Sequence, residues 1–119
     1  MSIYKNYYII AGYDLSAYKT DKYEDWHWTD EGEQYICHQS KGNIQLFDDP
    51  MNGDYLYLGY ILFNGDQYEF RTEKIDIDLI KLVDTDVFNT LRYLVDIGIV
   101  EETALEKCQY KVFAFEECS

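Results

Sequence analysis

The run Tyr55-Leu56-Tyr57-Leu58-Gly59-Tyr60-Ile61-Leu62-Phe63 limits what this chain can become more than any other segment. It is dense in aromatic and branched residues that suit a pleated surface and is bracketed by turn chemistry, so it reads as the strongest strand. Before it, Asp48-Asp49-Pro50-Met51-Asn52-Gly53 puts Pro and Asn-Gly where turn geometry wants them. After it, Asn64-Gly65-Asp66 is expected to reverse the chain into Gln67-Tyr68-Glu69-Phe70-Arg71. Upstream, Gln34–Gln39 alternates, Ser40-Lys41-Gly42-Asn43 makes a hairpin turn, and Ile44–Phe47 returns as a strand. Tyr7–Gly12 adds a buried strand closed by glycine, whereas Tyr13 to Gly32 shows no clear period and reads as a long structured loop with a helical turn. The N-terminal two-thirds is therefore expected to form an antiparallel meander.

The period changes in the last third. Val87, Phe88, Leu91, Leu94 and Val95 recur at helical spacing, with Asp84, Thr85 or Asp86 able to cap the start and Gly98 placed for the C-terminus. A short helix over Glu101–Lys107 and a closing strand over Lys111–Glu116 complete the expectation. Strands first and helices later give an α+β fold. With one proline, Pro50, and no linker or repeat, residues 1–119 read as a single domain.

Composition bounds the function classes. Hydrophobic residues at 47% and aromatic residues at 18% are enough to fill a core, which excludes intrinsic disorder. The 23 acidic against 10 basic residues give a net charge of -13. Nucleic-acid affinity comes mostly from Lys and Arg displacing counterions, so polymeric nucleic acid is an unsuitable partner, and anionic membrane surfaces are disfavoured for the same reason. No apolar run approaches a transmembrane span, and Met1–Tyr7 lacks the basic and apolar regions of a secretory signal. Cys37, Cys108 and Cys118 are odd in number and widely spaced, which suits free thiols in a reducing compartment.

Few patterns carry chemistry. His27-Trp28-Thr29 and His38-Gln39-Ser40 both match the His-x-Thr/Ser motif of two-histidine phosphoesterases, whose imidazoles act as general base and acid. Their spacing of 11 residues speaks against that reading, because in those enzymes each motif comes from a separate half of a duplicated fold. Cys37 and His38 are adjacent and would face opposite sides of a strand, the wrong geometry for zinc. The Asp48–Asp54 segment lacks the terminal glutamate of a calcium loop. No catalytic residue, metal or cofactor is assigned. The 13 tyrosines, 11 of them within the first 70 residues, mostly suit a half-buried sheet, but some aromatic rings can stack on planar ligands. Trp26 and Trp28 in the polar loop segment are the best stacking candidates, with Tyr13 beside them. Lys41 in the hairpin turn, and Arg71 and Lys74 after the meander, are the candidate phosphate partners, and Asn43 in that turn is a further candidate ligand-binding residue.

Three segments together resemble a small acidic protein family of large tailed phages: Tyr7-Tyr8-Ile9-Ile10-Ala11-Gly12-Tyr13-Asp14-Leu15, Tyr23-Glu24-Asp25-Trp26-His27-Trp28-Thr29-Asp30-Glu31-Gly32-Glu33, and Lys41-Gly42-Asn43-Ile44-Gln45-Leu46-Phe47-Asp48-Asp49-Pro50-Met51. The likeness extends through Tyr57–Leu62 and so spans roughly residues 7 to 70. That family is associated with the anti-CBASS sponges. The resemblance implies a non-enzymatic homo-oligomer, a dimer or tetramer, in the host bacterial cytoplasm. It would capture cyclic dinucleotides such as 3'3'-cGAMP without cleaving them and so starve the host effector of its signal. The alternatives are an acidic DNA mimic that blocks a host nucleic-acid-binding protein, which the net charge favours, and a small two-histidine phosphoesterase.

Overall fold

The computed structural model describes residues 5–35, 43–48, 53, 55–66 and 75–118. Along the chain they form β1 (Lys5–Asp14), α1 (Tyr23–His27), α2 (Asp30–Glu33), β2 (Ile44–Asp48), β3 (Leu56–Asp66), α3 (Ile77–Asp96), α4 (Ala104–Lys107) and β4 (Lys111–Cys118). The four strands make one antiparallel sheet in the order β2-β3-β1-β4. The architecture is the expected α+β class, with one main helix, a short helix near the C-terminus and a closing strand. Consecutive pairing holds between β2 and β3, while β1 lies between β3 and β4.

Strand alternation sorts the sheet into two faces. Leu56 and Leu58 of β3 and Leu46 of β2 join Leu15, Ile99 and Val100 in one core, onto which α3 lays Val83, Val87, Leu91 and Leu94. Burying each such side chain contributes about 1.5–3 kcal/mol, so this face carries most of the stability. On the opposite face Tyr8, Ile10 and Phe47 meet Tyr57, Phe113 and Phe115. The Tyr8 and Phe47 rings lie 4.9 Å apart, and Tyr57 and Phe115 are also 4.9 Å apart.

Three expectations are corrected. Asn64-Gly65-Asp66 does not turn the chain but continues β3, with Asn64 opposite Tyr8 and Gly65 opposite Tyr7. Long pairing with β1 overrides the local turn signal, and the register takes up an irregularity between Ile9 and Ile10. Helix α3 begins at Ile77, well before Asp84–Asp86, because Asp76 caps it: Asp76 Oδ1 accepts from the N–H of Asp78 at 2.9 Å and of Leu79 at 3.4 Å. Ile77 and Leu82 face solvent in the first turns, which breaks the apolar period there. The C-terminus follows expectation. Gly98, at φ +85°, takes the left-handed conformation that ends the helix. The loop expected over Tyr13 to Gly32 contains two short helices, and Gln34 and Tyr35 form a turn after α2 rather than starting a strand. The remainder of that strand and the Gln67–Arg71 strand lie outside the described residues. Among the described residues no helix is long and apolar enough to cross a membrane, and Cys108 carries a free thiol.

Candidate functional site

Helices α1 and α2 are too short to persist alone, so their geometry depends on what fastens them. Thr29, in extended conformation between them, caps α2: its Oγ1 accepts from Gly32 N at 3.1 Å, and its hydroxyl donates to the Trp26 carbonyl at 2.7 Å. A Cβ on Gly32 would collide with that same carbonyl oxygen, so the corner closes only around glycine. This fixes the positions of Trp26, His27 and Trp28.

Asp48, the last residue of β2, ties α1 to the sheet. Tyr23 and His27 are one helical turn apart and share a face. The Tyr23 hydroxyl donates to Asp48 Oδ2 at 2.9 Å, and His27 Nδ1 stands 3.1 Å from the same oxygen. Burial pushes the Tyr23 phenol far above the ordinary tyrosine range, with the Asp48 charge and hydrogen bond and then Glu24 adding to it. The phenol therefore remains a donor at any physiological pH. An Nδ1–H directed at Asp48 leaves Nε2 as the His27 nitrogen able to meet another partner.

The two tryptophans differ sharply. Trp28 caps the end of α1 and is 76% exposed, its ring meeting His27 nearly at a right angle with centroids 4.8 Å apart. Trp26 packs against the core between Tyr23 and Tyr35, and Tyr35 in turn stacks on Tyr93 at 5.8 Å. The Trp26 Nε1 is buried without a hydrogen-bond partner among the described residues. Around this corner Asp21, Glu24, Asp25, Asp30 and Glu31 are all exposed. Lys19 lies nearby, but its Nζ donates to the Gly53 carbonyl at 3.0 Å and stands 5.5 Å from the Tyr23 ring centroid. Chemically the corner offers an open indole face and an oriented imidazole within a ring of carboxylates.

Of the residues singled out by sequence, Trp26 and Trp28 share this corner. Tyr13 is 6% exposed in the core, its ring 5.7 Å from Tyr110, so it presents no face to a ligand. Asn43 is exposed at the far end of β2 from Asp48, with its Nδ2 donating to Tyr60 Oη at 3.4 Å. Lys41, Arg71, Lys74 and His38 lie outside the described residues. Sequence reasoning missed Asp48 and Tyr23 as the partners that orient His27. The i, i+4 spacing of Tyr23 and His27 was the available signal, once a helix was granted there. Comparison with protein-family models, curated proteins and solved structures found no match.

Proposed function

We propose that this protein is a phage immune-evasion factor that binds and sequesters a cyclic dinucleotide of the 3'3'-cGAMP kind, uncleaved, as a homo-oligomer in the host cell. The observation that carries the reading is Trp28: a large flat ring, 76% exposed, that the fold does not use as core. Stacking a nucleobase on such a ring contributes about 1–3 kcal/mol per base. His27 beside it, turned by Asp48, can give Nε2–H to a phosphate oxygen when protonated. The net charge of -13 and the carboxylates around the corner oppose a dianionic guest. At physiological ionic strength screening over about 8 Å mutes the distant charges and leaves the near carboxylates to be offset by cations at the site. A site completed by a second subunit would bring further rings and cations to the ligand.

A thermal-shift panel of cyclic di- and trinucleotides on the purified protein, followed by heat release, tests this. A sponge gains apparent stability with its ligand and returns it intact. Recovery of cleaved product, or no shift with any nucleotide, ends the reading. The second reading, an acidic decoy for a host nucleic-acid-binding protein, is favoured by the five exposed carboxylates on the α1–α2 corner, and its complex would weaken steeply with added salt.

A further inference from the structure

Across the sheet from that corner, β1 ends and β4 begins at one place, since Gly12 pairs with Lys111. Asp14, Tyr18, Lys107, Cys108, Gln109 and Lys111 line a cleft of about 220 Å³ there. Its walls are fastened: Tyr18 N–H donates to the Leu15 carbonyl at 2.9 Å, Glu101 N–H donates to the Tyr18 carbonyl at 2.8 Å, and the Cys108 thiol donates to the Asp14 carbonyl at 3.4 Å.

The charges of the cleft are unevenly matched. Asp14 Oδ1 is taken up by Ser16, accepting from its N–H at 3.0 Å and its hydroxyl at 2.6 Å. Lys107 and Lys111 are exposed, and among the described residues neither forms an ion pair. In a chain with 23 acids, a lining that sets two ammonium groups without ion-pair partners among the described residues against the single carboxylate of Asp14 departs from the acidic surroundings. Burial and the Asp14 charge raise the Cys108 thiol, with Lys111 pulling the other way, so the sulfur is a neutral wall rather than a nucleophile.

We propose that this cleft binds the phosphoryl group of a phosphate monoester, held by Lys107 and Lys111 with Gln109 as a neutral donor and the Tyr18 ring against the adjoining sugar. Phosphate suits two mobile ammonium donors that can converge on one centre. Sites for whole drug-sized ligands run to about 300–1,000 Å³, so this cleft takes a phosphoryl group with one attached ring rather than an entire dinucleotide. Such a cleft holds its ligand whether or not the protein captures a cyclic messenger.

The test is an amide-shift titration of the full ¹⁵N-labelled chain with 5'-AMP, inorganic phosphate and adenosine in parallel. AMP and phosphate are expected to move the amides of Lys107, Cys108, Gln109 and Lys111, and adenosine is expected to leave them in place. Losing one charge-assisted contact should raise the Kd for AMP about tenfold in K107Q or K111Q, and further in the double variant. Both side chains are exposed, so an unchanged spectrum away from the cleft verifies folding. Adenosine shifting these amides as AMP does, no shift at them with AMP, or unaltered AMP affinity in the double variant would each overturn the assignment. The cyclic-dinucleotide thermal shift is read separately, so a failure of either reading is told apart from a failure of the other.

Discussion

Substituting Tyr23 by Phe separates two effects of one buried hydroxyl. At about pH 8 the variant lacks the hydrogen bond to the Asp48 carboxylate, a charge-assisted contact of about 2 kcal/mol. His27 still serves that carboxylate, so no bare charge is left behind. At alkaline pH the balance changes. The phenol of the unfolded chain ionises around its ordinary value of 10.0, whereas in the folded protein burial and Asp48 hold it far higher. A raised native value means that the stabilising contribution is whole below about pH 10 and falls as pH rises, by about 1.4 kcal/mol per pH unit. The Phe variant has no such loss at this position. The initial deficit of about 2 kcal/mol is therefore cancelled near about pH 11.5, where the two proteins should be equally stable. Tyr13, Tyr57, Tyr93 and Tyr110, also raised and the last to about 12, are present in both and cancel in the difference. Urea unfolding followed by far-UV circular dichroism across that range reads the difference directly. A deficit that stays constant with pH would refute the claim that burial and Asp48 keep this hydroxyl protonated.

The two tryptophans should respond in opposite ways. Trp28→Ala is expected to change stability by less than about 0.5 kcal/mol while weakening nucleotide retention about tenfold, and Trp26→Ala to lower stability by about 3 kcal/mol, both read by urea melts and ligand-dependent thermal shift. The reverse pattern would exchange their roles. Gly32→Ala drives a methyl into the Trp26 carbonyl and should cost about 2 kcal/mol or more, with red-shifted tryptophan emission as the corner opens; unchanged melts would contradict the packing of α1 on α2.

What the sequence made legible was whatever short-range pattern controls. Leu56 and Leu58 alternate with Tyr57 because one face of β3 meets α3 and the other meets an aromatic layer, and that alternation stands in the sequence. Leu91 and Leu94 betray α3 for the same reason, and Gly98 marks its end. Asn64-Gly65 misled because its meaning depends on Tyr7 and Tyr8, more than fifty residues away. The first turns of α3 were hidden by Ile77 and Leu82, apolar residues on the wet side. The site divides along the same line. Trp28 stood out as an aromatic residue in a polar segment, but its neighbour Trp26 carries the same local signature and packs inward. Asp48 reads as a turn acid beside Asp49 and Pro50 and becomes the anchor of His27 only when β2 meets α1.

The strand order has a consequence for how this protein comes into being. β1 is made before both of its flanking partners, residues 56–66 and 111–118, so it waits with both edges open until each has been synthesised. Contacts spanning nearly the whole length slow assembly and make it cooperative. An N-terminal fragment has no finished sheet to settle into, and during synthesis the half-built protein is the state most exposed to sticking to its own kind.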